Sequence, residues 1–370
     1  MAGGRHRWLP AIGAVLLAVP TLGSALDRIS ADHPTMAGHV PDIIASEAML
    51  ARGRMAALAD DYARAEALAA KAIASSPADP RMLGLLGQAR LQAGDADGAE
   101  AAFRASAAFG WREPATQAYW LQAALGAGDW ASAALRADAL LRARAPLRSD
   151  FALLAPFEAT AEGRAAFAPL VADAAPWTEA YLMPGNSADA DGLLRRAGML
   201  SADGIALTDR CTKTAPLVMK LADLGYQSQA RSLAGVSCGE AASGEGLVDS
   251  DFRQFGQGEA SPFGWRKAPS GDVSIGRADG ALRVRNRASA PRLVAWQPVM
   301  LEEGEYRAVL KGADSGRWRI SLDCDGQPAA RAPARGLAFS VNDCPSPALG
   351  LWLEPGAGEA DLAGIILERE

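Results

Sequence analysis

Histidine is the side chain most often used to move a proton near neutral pH, and all three histidines lie early, at positions 6, 33 and 39. From residue 43 onward the chain has no imidazole for a Ser-His-Asp triad, a general base or a metal site. It carries no P-loop, no GxGxxG behind a strand and no HExxH. The four cysteines, at 211, 238, 324 and 344, form no CxxC or other metal-ligand spacing. Cys211 and Cys238 flank one predicted helix pair, and Cys324 and Cys344 end neighbouring predicted strands. Two local disulfides are therefore expected, each closing a loop of roughly 20–30 residues; four buried free thiols are the alternative. An even, locally paired set fits an oxidising compartment and withdraws the thiols as nucleophiles. Glycoside hydrolysis needs only two carboxylates, for which Asp323, Asp325 and Asp343 are the candidates. Asp325-Gly326, however, reads first as a hairpin turn, and Asp343 sits beside a cysteine at a strand end. No catalytic residue and no cofactor is expected, and the chain reads as a non-enzyme.

Tryptophan offers different chemistry. An exposed indole stacks on the apolar face of a pyranose while polar side chains take the hydroxyls. The candidates are Trp265, Trp296, Trp318 and Trp352, with Arg292, Arg319 and Asn286 nearby in the pattern. Trp318 shares a strand face with Ile320 and Leu322 and is assigned to the core. Trp352 alternates against Leu349, Leu351 and Leu353, which puts it on the opposite face. The candidate ligand-binding set is thus Trp352, Trp296, Trp265 and Arg292; the competing reading is that these rings fill a core.

The elements that must carry these residues differ between the two halves. About half the residues are apolar and the formal charge is −6, without a run of Lys and Arg in the folded part; this is globular composition and argues against a nucleic-acid partner. Arg5, His6 and Arg7 precede an uncharged stretch from Trp8 to Leu26, the pattern of an export segment. Gly23-Ser24-Ala25 offers a cleavage site, yet the stretch is nearly long enough to span a bilayer, so residues 1–26 read as a signal peptide or an N-terminal membrane anchor. Either way the remainder is expected in the periplasm, with membrane contact only through that segment.

From residue 43 to 148 the chain repeats itself with a period of 34. Gly53 matches Gly87; Asp61, Asp95 and Asp129 recur, as do Ala65, Ala99 and Ala133. A fixed period of this length marks stacked helix–turn–helix units. With Leu83, Leu86, Gly87, Ala99 and Phe103 at the expected offsets, the segment resembles the tetratricopeptide family, with two good units and a third that keeps Trp120 and Ala133 but loses the small residue after Trp120. The resemblance implies protein–protein contact in a concave groove, lined by first-helix residues such as Arg52, Met55, Gln88 and Gln122. Residues 149–238 read as a divergent helical or capping region, with Cys211 and Cys238 stapling its last pair.

Residues 239–248 are a Gly-rich linker, and 249–370 read as an antiparallel β-sandwich. Its best strands are Ala281–Asn286, Arg292–Met300, Glu305–Lys311, Trp318–Asp323, Leu337–Val341, Ala348–Glu354 and Leu362–Glu368. Asp251-Phe252, Pro262-Phe263-Gly264-Trp265, Gly304-Glu305-Tyr306-Arg307 and the closing Leu362–Leu367 run resemble the jelly-roll modules related to carbohydrate-binding domains. That resemblance implies a structural calcium in some members, for which Asp249, Asp251 or Asp361 could supply oxygens; as two carboxylates two apart are commonly just solvated, no metal is assigned. The fold class is therefore an α-solenoid followed by a β-sandwich, a layout similar to proteobacterial exopolysaccharide and envelope-associated proteins. The expected partners are envelope proteins through the helical array, with polysaccharide as the second candidate.

Overall fold

The computed structural model describes residues 9–370 except 186–188, 240–245, 257–261, 269, 302, 313–315, 325–326, 334–335, 342–343 and 345–346, with backbone alone for 9–17, 19 and 327–333. The chain divides into two compact units, residues 1–147 and 148–370. The first is helical; the second begins with helices and ends in antiparallel sheets.

In the first unit, α1 (Leu9–Asp32) leads by two short 3-10 turns into α2 (Ser46–Leu58), α3 (Tyr62–Ser75), α4 (Pro80–Gln92), α5 (Ala96–Ala107), α6 (Pro114–Gly126) and α7 (Trp130–Ala143). The 34-residue period has a physical basis at each helix start. Asp61, Asp95 and Asp129 are the N-caps of α3, α5 and α7, accepting the backbone N–H of Arg64, Gly98 and Ser132 at 3.1, 2.9 and 3.1 Å. Just before two of these caps, Gly94 and Gly128 take left-handed backbone at φ 88° and 70°, and Asp60 takes the equivalent place at 59°. Ala65, Ala99 and Ala133 are fully buried.

Glycine sets the helix spacing. A Cβ on Gly53 would stand 2.6 Å from Leu85, and one on Gly87 would stand 2.9 Å from three atoms of the Phe103 ring. Thirty-four residues on, the positions of Gly87 and Phe103 are held by Leu121 and Ala137, both buried. At these equivalent positions the third unit carries the large side chain on its first helix and the small one on its second.

Residues 26–42, which precede the predicted repeats, belong to the packed unit. Leu26, Ala37, Val40, Ile44 and Ala45 join one apolar cluster with α2 and α4. Ala45, the N-cap of α2, has no side chain to cap with, and Asp27 of α1 supplies the cap instead, accepting Ala48 N–H at 2.8 Å and Glu47 N–H at 3.2 Å. Asp27→Ala should therefore lower stability by about 1–2 kcal/mol. A shifted urea midpoint for the chain from Leu26 onward would report it, and an unchanged midpoint would show the cap to be dispensable. No helix among the described residues is long and apolar enough to cross a membrane.

The second unit carries α8 (Ala155–Ala159), α9 (Ala161–Phe167), α10 (Thr178–Leu182), α11 (Ala190–Leu200), α12 (Arg210–Asp223) and α13 (Gln227–Cys238). Residues 149–238 thus share a compact unit with the sheets and lie outside the unit that holds the repeats. Cys211, at the start of α12, is bonded to Cys238, at the end of α13, and Cys324 is bonded to Cys344. No described cysteine is free, and paired thiols of this kind belong to an oxidising compartment.

Among the described residues eleven strands follow: β1 (Arg266–Lys267), β2 (Val273–Ala278), β3 (Ala281–Asn286), β4 (Arg292–Pro298), β5 (Glu305–Lys311), β6 (Trp318–Cys324), β7 (Gln327–Pro333), β8 (Leu337–Ser340), β9 (Pro347–Leu353), β10 (Ala360–Leu362) and β11 (Gly364–Arg369). They form a five-stranded sheet, β1-β4-β9-β6-β7, and two three-stranded sheets, β10-β3-β2 and β11-β5-β8, with every pair antiparallel. Trp318, Ile320 and Leu322 of β6 and Leu349, Leu351 and Leu353 of β9 meet Leu282, Val284, Ala308, Leu310 and Leu362 in one core. Strand alternation places these residues inward, and burial of their apolar area is what holds the sheets together.

Candidate functional site

The outer face of the five-stranded sheet brings the predicted tryptophans together. Trp296 of β4 stands opposite Gly350 of β9, and Leu293 stands opposite Trp352, so Trp296, Gly350 and Trp352 share one face. Both indoles are half-buried. On the far side of β9, Arg319 and Ser321 of β6 stand opposite Trp352 and Gly350. Trp352 Nε1 donates to Ser321 Oγ at 2.9 Å. A Cβ on Gly350 would meet Ser321 Oγ at 2.5 Å and Trp352 Nε1 at 3.2 Å, so the glycine is what lets the indole fold down onto the sheet.

Trp296 is held differently. Arg266 of β1 stands opposite it, with the guanidinium carbon 4.9 Å from the ring centre, and donates to Pro262 O at 3.0 Å. Burial pulls the Arg266 pKa below its usual value, and Asp223 opposes that shift. The same sheet face forms one wall of a cleft of about 610 Å³. Met219 and Asp223 of α12 form the other wall, and Arg266, Trp296, Met300 and Asp323 lie on the sheet side.

Two predicted ligands fall elsewhere. Trp265 is 5% exposed; it packs against Phe252 with ring centres 5.4 Å apart and donates Nε1–H to Asp249 O at 3.1 Å. It is a core residue and not a ligand, because Phe252 and the Asp249 carbonyl enclose its ring. Arg292 stands opposite core-facing Leu353 and pairs with Asp272 at 3.4 Å, so it does not share the face of Trp296 and Trp352. A β-bulge between Leu293 and Ala295 reverses the strand's alternation and moves Arg292 to the other side. Arg319 takes the position beside Trp352 instead, with Nε donating to Glu354 Oε1 at 2.7 Å. Asn286 is buried and donates to Ala290 O and Leu353 O, which is a structural role.

The carboxylates separate likewise. Asp323 lines the cleft, while Asp325 and Asp343 lie outside the described residues. Asp361 is bound by Arg283 at 3.0 and 3.1 Å, which holds its carboxyl below the usual range. Asp251 pairs with Arg253, and Asp249 accepts Gln254 N–H, its carboxyl pushed up by burial. Among the described residues no cluster of three or more His, Cys, Asp and Glu could hold a metal ion.

A second concavity lies in the helical array. Gln88 and Leu91 of α4 with Ala118, Tyr119 and Gln122 of α6 line a mainly apolar groove of about 680 Å³, which Leu140 and Leu147 extend. Tyr119 stacks on Phe103 with ring centres 4.3 Å apart, which fixes the groove floor. Of the four groove residues expected from sequence, Gln88 and Gln122 are here. Arg52 is engaged with Asp42 at 2.9 Å, and Met55 is exposed outside this groove.

No family model and no curated protein matches the chain. Among solved structures it is similar to one described as the crystal structure of accessory secretory protein 1, 2 and 3 in Streptococcus pneumoniae. The identity is 10% and the TM-score 0.22, with 27% of this chain and 87% of that chain covered. A likeness so slight carries no argument about this protein.

Proposed function

We propose that the chain is a non-enzymatic, exported envelope protein whose helical array docks a segment of another envelope protein in its groove, in the service of cell-surface polysaccharide assembly or export. The groove of α4 and α6 is the observation that carries this reading: it is large, mainly apolar and rimmed by two glutamines suited to a peptide main chain. Periplasmic placement is supported by the two disulfides and by the basic-then-apolar start of the sequence. The non-enzymatic reading is supported by histidines confined to the first 39 residues and by bridged thiols. The tetratricopeptide and jelly-roll resemblances belong to the same proposal.

A photo-crosslinking residue at Ala118 or Gln122 is expected to yield one discrete protein adduct in cells. Leu91→Asp, which puts a charge on the groove wall, should weaken that adduct at least tenfold, since an apolar anchor at the centre of an interface contributes more than about 1.4 kcal/mol. No adduct from the groove, or an equal one from exposed Arg104 on α5, would remove the groove from the function.

A further inference from the structure

The third repeat exposes three large apolar side chains that the array does not need. Phe109, Trp111 and Leu135 are 50%, 47% and 49% exposed. Thirty-four residues earlier stand Ser75, Pro77 and Ala101, so neither the helices nor their connections require apolar bulk at these positions. Arginine enters in the same register: Arg112 and Arg142 stand where the preceding repeats hold Ala78 and Ala108. Exposed apolar bulk gathered in one place, unlike single scattered residues, marks a contact surface.

Trp111 and Arg112, in the connection between α5 and α6, face Leu135, Ala139 and Arg142 of α7 across a concavity of about 660 Å³. The Arg136 guanidinium carbon lies 3.8 Å from the Trp111 ring centre, and Arg136 also donates to Gln117 Oε1 at 2.7 Å. This pairing fixes the indole and covers one of its faces. Asp138, the acid on this wall, accepts Arg142 Nε–H at 2.7 Å.

Three kinds of occupant differ in what they would cover. A peptide lying in the concavity would leave Phe109 in water, because Phe109 is outside its lining. A second copy of the chain would bring the same arginines face to face, a like-charge contact. A bilayer surface is broad enough to take all three apolar side chains at once. Its interface is where aromatic rings settle, and anionic headgroups attract arginine there. The whole chain has a formal charge of −6, so a local excess of arginine gives that attraction a direction.

We propose that this surface docks the first unit on a membrane rich in anionic phospholipid, with Phe109 and Trp111 entering the interface and Arg112 meeting a lipid phosphate. The glycerol and upper acyl carbons of one lipid fill the concavity over Leu135 and Ala139. Other residues line the α4–α6 groove, so the docking is separate from the partner contact proposed above.

The test places an environment-sensitive fluorescent amino acid at Phe109 in the full, disulfide-intact chain. Vesicles of phosphatidylcholine with about 30% phosphatidylglycerol should shift its emission to the blue, and phosphatidylcholine alone should need at least about tenfold more lipid. Trp111→Ala or Arg112→Glu should raise the lipid requirement at least about tenfold, whereas Arg112→Lys should stay close to wild type. Both side chains are exposed, so these changes leave the core untouched. Added salt should weaken the shift, since it screens exposed charges. Reading the shift at position 109 separates docking of this face from vesicle capture through the N-terminal segment, which these variants do not touch. The proposal is overturned if the probe stays in water, if phosphatidylcholine alone works equally well, or if folded Trp111→Ala and Arg112→Glu behave as wild type. A photo-crosslinking residue at Leu135 that joins a protein and no lipid in cells would overturn it as well. The groove crosslinks play no part in these readouts, so failure here leaves the scaffold reading standing.

Discussion

Gly87→Leu is expected to destabilise the first unit by about 3 kcal/mol, and adding Phe103→Ala is expected to restore much of the loss. The single change drives a leucine into space that the Phe103 ring already fills, with three ring atoms 2.9 Å from where even a Cβ would stand. Interiors are close-packed, so neither helix has room to yield. Phe103→Ala alone leaves a cavity and should itself cost about 3–5 kcal/mol. Together the two changes place at these positions the residue types that the third unit carries at the equivalent ones, Leu121 and Ala137. The double variant should therefore be more stable than the sum of the singles predicts by well over 1 kcal/mol. Urea midpoints, with hydrogen exchange in α4 and α5 to locate the effect, would measure this; simple additivity would mean the two positions do not share one volume.

Cys211→Ser with Cys238→Ser is expected to cost the second unit about 3 kcal/mol, from the chain entropy released when a loop of 27 residues is no longer closed. The Cys324–Cys344 bridge closes a loop of 20 residues, and its loss should cost slightly less, because the entropy depends only on the logarithm of loop length. The helix pair gives the first bridge a local task as well. Cys211 and Cys238 sit at the open end of the α12–α13 hairpin, whereas Met219, Asp223 and Gln227 lie at or near its turn. The variant should accordingly lose thermal stability while the turn end of the hairpin keeps its hydrogen-exchange protection below the unfolding temperature. Differential scanning calorimetry beside hydrogen exchange would separate the two, and an unchanged unfolding temperature would show that the open end is held by packing alone.

The repeats were legible because each recurring residue has a task that only a few side chains perform. Aspartate caps α3, α5 and α7, and alanine or glycine occupies the closest helix approaches. Among the strands, β3 and β5 fall where alternation predicts them, because each alternates buried and more exposed positions. β2 was not foreseen: Gly276 and Arg277 interrupt its apolar rhythm, and only Val273 is buried. Alternation also misplaced Arg292. Counting by twos puts it with Trp296, and the extra residue at the bulge reverses that parity without any mark in the sequence. Trp265 failed for another reason: Phe252 and the Asp249 carbonyl, which enclose it, come together only in three dimensions. The same holds for the cleft. Asp223, Arg266, Trp296 and Asp323 span a hundred residues, and no local pattern joins them. Asp27 was hidden by its setting, since it directly follows an apolar stretch that reads as an export segment.

Both bridges join cysteines that are neighbours in the sequence, Cys211 with Cys238 and Cys324 with Cys344. Four cysteines allow three pairings, and only this one can be completed in order of appearance. A chain that enters an oxidising compartment amino end first presents Cys238 to Cys211 before either later thiol has arrived. An oxidant that joins each new cysteine to the one waiting therefore produces the native set directly. Pairing in that order leaves no mistaken bond for an isomerase to reshuffle, and the first unit has no cysteine to wait for.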